Sequence, residues 1–155
     1  MELIPLQEWI CDHCGEKIAS VEDGYVEWGG TGGDYVGFRI VHHQPKSPRG
    51  SCYHPDKGHS VPLSHFVGID GLTQLVALVD PGEHYARENE TPTVANFREW
   101  VDLLRRTQTP GYEEARQYWS IAKRNEYFDG ASEAWPYLQR NLIGVIELGR
   151  EESET

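Results

Sequence analysis

Three cysteines constrain this chain more than any other feature. Cys11 and Cys14 stand two residues apart in ICDHCGEKI, with Gly15 directly behind the second, and Cys52 lies far downstream. An odd number cannot pair completely within one chain. In a reducing compartment a close cysteine pair reads as a metal or redox motif rather than as a bridge. Free cysteines can also be small buried hydrophobes. That reading fits poorly here, because polar residues lie between and after the pair. Gly15 suits a turn whose backbone amides face thiolate sulfur. A thioredoxin-like redox pair expects a strand before it and a sizeable helix after it. Cys14 leads instead into GEKIASVEDG, a short turn or strand.

Metal binding uses more of the sequence. Structural zinc takes four tetrahedral ligands, commonly four cysteines or three cysteines and a histidine. DYVGFRIVHH reads as a strand ending in His42-His43, and the connection QPKSPRGSCYHPDKGHS, with three prolines, delivers Cys52. A loop this long is uncommon in a compact domain unless something ties it down. Strand alternation puts Val36, Phe38, Ile40 and His42 on one face, and Tyr35, Arg39, Val41 and His43 on the other. The expected ligand set is therefore Cys11, Cys14, His42 and Cys52. His43 and His54 are the alternatives to His42, while His13, inside the pair, should point away. Soft sulfur ligands in a closed site select zinc over calcium or magnesium, one ion per chain in a structural role.

The stretch CDHCGEKI resembles the zinc knuckles of zinc-ribbon-like domains, which join Cys-x2-Cys-Gly to a second ligand pair on a neighbouring β element. The resemblance covers about residues 1–60. The second pair here is His…Cys at long spacing rather than another Cys-x2-Cys. The resemblance implies a small β module held by zinc, a framework that serves many unrelated functions.

The rest of the chain divides by periodicity into an α+β architecture. Residues 1–60 read as a zinc-stabilised, β-rich part, with DGYVEWGG and DYVGFRIVHH as strands around a Gly-rich hairpin loop. Residues 61–150 read as a helical, bundle-like part, and 151–155 as a frayed acidic tail. Leu72, Leu75, Val76 and Val79 form one helical stripe, with Asp70 as N-cap and Pro81-Gly82 as stop. Phe97, Trp100, Val101 and Leu104 form a second, with Thr93 as cap. Tyr112, Ala115, Trp119 and Ala122 mark a third helix. A fourth, from about Ser132, carries Trp135, Leu138, Leu142, Val145 and Ile146 and accepts Pro136 in its first turn.

Charge narrows the function. The 155 residues carry a net charge of −11. Residues 1–60 hold five basic against nine acidic side chains, and the remainder nine against sixteen. Nucleic-acid affinity comes chiefly from cations on phosphates, so this balance opposes it. Lys46, Arg49 and Lys57 would make only a small local patch. No stretch approaches the roughly 20 apolar residues of a membrane span. MELIPLQEWI lacks the basic start of a secretory signal, which leaves a cytoplasmic protein as the expectation. Dinucleotide, phosphate-loop, zincin and nucleophile-elbow motifs are missing from the sequence, as is the His-x-Glu of a zinc deaminase. Three thiolates and an imidazole would also close the metal to substrate. The expected function is a zinc-stabilised protein-interaction or regulatory module, whose helical part binds another protein or a second copy of itself. A small metal-containing hydrolase or transferase is the alternative, followed by a nucleic-acid-binding zinc-ribbon protein.

Overall fold

A computed structural model describes residues 6–31, 34–48, 50–54, 58–85 and 93–155. Gly32 and Gly33 of the hairpin loop, and Arg49 and Lys57 of the basic patch, lie outside the described residues. The chain packs as two units, one formed by Gln7–Gln108 and the other built mainly from Thr109–Thr155. The change of periodicity near Val61 and the division in packing after Gln108 are thus different boundaries. The α+β class holds: the strands end at Pro62 and the α-helices begin at Gly68.

In the first unit, β1 (Trp9–Ile10) and β2 (Lys17–Ile18) flank the cysteine pair as a two-stranded hairpin, with Trp9 opposite Ile18. A second, three-stranded antiparallel sheet has β3 (Gly24–Gly29) between β4 (Val36–His42) and β5 (His59–Pro62). Residues directly opposite share a face. Val26 is paired with Ile40 and Val61, and Gly24 with His42, so these line one face; Tyr25 with Val41 and Glu27 with Arg39 line the other. Ile40 and Val41 are both fully buried. The alternation of β4 therefore sorts residues between two covered faces rather than between core and water.

Two helices belong to the same unit. Helix α1 (Gly68–Val79) starts one residue after Val67, so Asp70 lies in its first turn and is not its cap. There its charge still favours the helix dipole. Of the expected stripe only Leu75 is fully buried, while Leu72 and Val76 are about half exposed. Gly71 is buried, and a Cβ there would run into the Phe66 carbonyl, so only glycine fits this close approach. Helix α2 (Phe97–Gln108) is capped by Asn96, whose Oδ1 accepts from the N–H groups of Arg98 (3.1 Å) and Glu99 (3.4 Å). Thr93, the expected cap, instead accepts from Tyr35 N–H through its carbonyl. Trp100 Nε1 donates to Leu75 O at 2.9 Å and ties α2 to α1.

The second unit is helical. Ala115, Ala122, Leu142, Val145 and Ile146 are fully buried and form its centre, with Trp119, Tyr127, Phe128 and Tyr137 packed on them. The third expected helix is broken into α3 (Tyr112–Ala115), a 3-10 turn (Arg116–Tyr118) and α4 (Trp119–Arg124). The fourth starts later than Ser132. Pro136 sits in a 3-10 turn over Trp135–Tyr137, Leu138 is extended, and α5 runs from Gln139 to Ser153. Asn141 Nδ2 donates to Trp135 O at 2.6 Å and holds this corner. The acidic end is helical through Ser153 rather than frayed, since Glu152 accepts from Arg124 (2.8 Å) and Asn125 (2.5 Å) on α4. No helix among the described residues is long and apolar enough to cross a membrane.

Candidate metal centre

The turn between β1 and β2 presents Cys11 and Cys14. Gly15 N–H donates to Cys11 O (2.9 Å), and Cys11 N–H to Glu16 O (2.9 Å), closing the knuckle. Gly15 has φ +76°, a left-handed conformation in which a side chain would be strained. This is the conformational reason for glycine behind the pair. His42 arrives at the end of β4, and Cys52 from the loop after it.

The donor atoms of Cys11, Cys14, His42 and Cys52 all lie within 4.8 Å of one another, and all but Cys14 are buried. The histidine ring is oriented for this. Its Nε2 is 3.0 Å from Lys17 O, and a carbonyl can only accept, so Nε2 carries the proton. Nδ1 is left with a lone pair and lies 3.4 Å from Cys14 Sγ. A tetrahedron with ordinary zinc–sulfur and zinc–nitrogen bonds has a sulfur–nitrogen edge of about 3.6 Å. The donor set and its spacing therefore suit such an ion. A carbonyl holding the far nitrogen of a ligating histidine is a common outer-shell arrangement.

The other histidines stand elsewhere. His43 stacks on Tyr25 with ring centroids 4.9 Å apart. His54 Nδ1 donates to Cys52 O at 3.0 Å, and its ring lies 4.9 Å from that of His13, which is exposed. Strand parity was the useful signal, since it separated His42 from His43.

Electrostatics set the two buried thiols apart. Burial raises the Cys11 thiol, but backbone amides of Cys14, His42 and His13, aided by the His42 ring, overcome this and lower it to about 7. Burial pushes the Cys52 thiol up to about 11; the Ser47 hydroxyl opposes this, and the charge on Cys11 adds to it. Neighbouring sulfurs cannot all be thiolates unless a positive charge sits among them.

A surrounding layer holds the four donor side chains in place. Asp12, between the cysteines, accepts at Oδ2 from Ile40 N–H (2.8 Å) and from Arg106 Nη1 (2.6 Å). Arg106 Nη2 also donates to Ile10 O at 3.0 Å, so α2 grips the knuckle from behind. Glu27 is fully buried on β3, and its Oε2 accepts from His54 N–H at 2.8 Å, two residues beyond Cys52. Its Oε1 stands 3.7 Å from both Arg39 Nη1 and His54 Nδ1, ion-pair distances too long for hydrogen bonds. Ser47 Oγ accepts from Cys52 N–H at 3.2 Å. Asp12, Glu27, Ser47 and Arg106 carry no spacing signal, so sequence reasoning could not find them. Comparison with protein-family models, curated proteins and solved structures returns no match to this chain.

Proposed function

We propose that Cys11, Cys14, His42 through Nδ1, and Cys52 hold one structural zinc ion, and that the chain is a zinc-stabilised protein-interaction or regulatory module of the cytoplasm. The convergence of three sulfurs and one imidazole nitrogen within 4.8 Å carries this reading. Four such donors complete a tetrahedron and leave no position for an activated water, which is the signature of a structural site. The ion would stabilise a loop with little apolar content, because structural zinc binding energy is folding energy.

The interaction role is supported by apolar side chains left in water. Ile69 is 88% exposed and Phe97 60%, and both sit on helices of the zinc-bearing unit. Large apolar side chains left in water are candidate contacts for a partner. A net charge of −11 favours a protein partner with basic character over nucleic acid.

Metal analysis of tag-free protein expressed in zinc-supplemented medium tests the site. About one equivalent of zinc per chain is expected, and removal by a chelator should loosen the first unit. A content far below one equivalent with all thiols intact would refute the reading. Native-condition affinity capture tests the partner, and a chain that stays monomeric with no enriched protein counts against the module.

A further inference from the structure

The metal centre is not evenly enclosed. Cys11, His42 and Cys52 are buried, whereas Cys14 keeps partial access to water. Its neighbours along the turn, Asp12, His13, Gly15 and Glu16, are exposed. A Cβ added to Gly15 would meet nothing within 4 Å, so the side of the turn next to Cys14 is open. A sulfur that water can reach is one that a small oxidant can reach.

The two arms of the site are also held differently. Protein contacts fasten the turn that carries Cys11 and Cys14. Gly15 N–H donates to Cys11 O and Cys11 N–H to Glu16 O, both at 2.9 Å, and Asp12 accepts from Ile40 N–H and Arg106. Cys52 stands on the loop after β4, where it is the only buried residue among those described in 44–54. Engagement of its sulfur is therefore what seats that loop.

We infer that the knuckle is a peroxide-sensitive latch: a hydroperoxide oxidises Cys14, Cys11 closes a disulfide with it, and the loss of both thiolates frees the metal and the Cys52 loop. The inference rests on the zinc reading and adds a regulation to it. In the first step the Cys14 thiolate attacks the peroxide. A sulfur–oxygen bond forms, the oxygen–oxygen bond breaks, and the departing alkoxide or hydroxide takes a proton from water. In the second step the Cys11 thiolate attacks Cys14 Sγ, the sulfur–sulfur bond forms, and hydroxide leaves. The two sulfurs lose two electrons in all, and the peroxide gains them. His42 and Cys52 remain, two donors where structural zinc takes four.

Cys11 rather than Cys52 resolves the oxidised sulfur. Both lie within 4.8 Å of Cys14 Sγ. Cys11 shares a short turn with Cys14 and stays within reach as the site loosens, because closing so small a loop costs little entropy. Cys52 moves off with its own loop.

The test treats full-length, tag-free, zinc-loaded protein with hydrogen peroxide, with zinc release followed by a chromogenic chelator. Loss of the one zinc should coincide with loss of two of the three thiols. A non-reducing digest should contain the Cys11–Cys14 link, and amide exchange at Cys52 and Tyr53 should quicken. A dithiol reductant supplied with zinc should restore the starting state. Cys14→His keeps four donors but removes the reachable thiol, and it should release zinc about tenfold more slowly or less. Should that variant fail to load zinc, the mapped link in the parent protein still decides. A Cys14–Cys52 link would overturn the inference, because it would staple the loop to the turn. So would retention of zinc and all thiols under peroxide that oxidises an equal concentration of glutathione, with the zinc reading left standing. A preparation that never holds zinc removes that reading and the latch with it.

Discussion

Arg106→Met should cost the first unit about 2–4 kcal/mol. Arg106 is only 4% exposed through its side chain, and its partner Asp12 is 25% exposed. The guanidinium donates to Asp12 Oδ2 at 2.6 Å and to Ile10 O at 3.0 Å. Breaking a buried pair by removing one partner typically costs about 3–5 kcal/mol, mainly because a charge is left without compensation. Asp12 keeps some water contact and the N–H of Ile40, which lowers the expectation to about 2–4 kcal/mol. Methionine retains most of the stem volume, so the loss reflects charge rather than a cavity. Urea unfolding should be followed at the Trp9 indole N–H, which donates to Arg106 O at 3.0 Å and reports on this unit alone. Asp12→Asn combined with Arg106→Met should be less damaging than the sum of the two changes, with a coupling of about 1–3 kcal/mol. The exposed pair Glu8–Lys17 is the control, and Lys17→Met should change stability by less than about 0.5 kcal/mol. An Arg106→Met variant within about 0.5 kcal/mol of the parent, or strict additivity with Asp12→Asn, would refute the argument.

Four further outcomes are expected. His42→Ala should release metal and loosen the first unit, whereas His43→Ala should lose only its stacking on Tyr25; a larger metal loss from His43→Ala, read by chelator competition, would reassign the ligand. Glu27→Ala should lower metal affinity about 10–100-fold by freeing the loop that carries Cys52, while Glu27→Gln, which keeps an acceptor for His54 N–H, should lose less; equal losses would rule out that tether. Gly71→Ala should destabilise by more than about 2 kcal/mol in thermal unfolding, because its Cβ meets the Phe66 backbone rather than a movable side chain; an unchanged midpoint would show that α1 can shift freely. Leu142→Ala in the core of the second unit should cost about 2–5 kcal/mol by urea denaturation, and a loss below about 1 kcal/mol would mean the site collapses without a cavity.

What was legible from the residues alone was local or countable. Cys-x2-Cys-Gly defines a turn by itself, because φ +76° at Gly15 is a local demand. The period of two in DYVGFRIVHH separated His42 from His43, and periods of three and four pointed to helices around Leu72–Val79, Phe97–Leu104 and Leu142–Ile146 without fixing their limits. The count of three cysteines and one strand-end histidine matched the cluster that the structure brings together.

Tertiary structure decided the rest. Periodicity says which residues are apolar, but not whether an element has one covered face or two; Ile40 and Val41 are both buried because the sheet is covered on both sides. Nor does it say which part of a stripe finds a partner, as α1 shows by burying Leu75 and leaving Leu72 and Val76 half exposed. Helix limits moved where a nearby group satisfied the end more directly, as Asn96 does for α2 in place of Thr93. The packing boundary after Gln108 and the grip of Arg106 on Asp12 join residues from opposite ends of a unit. Such contacts arise from burial and charge compensation across the fold, and no spacing along the chain encodes them.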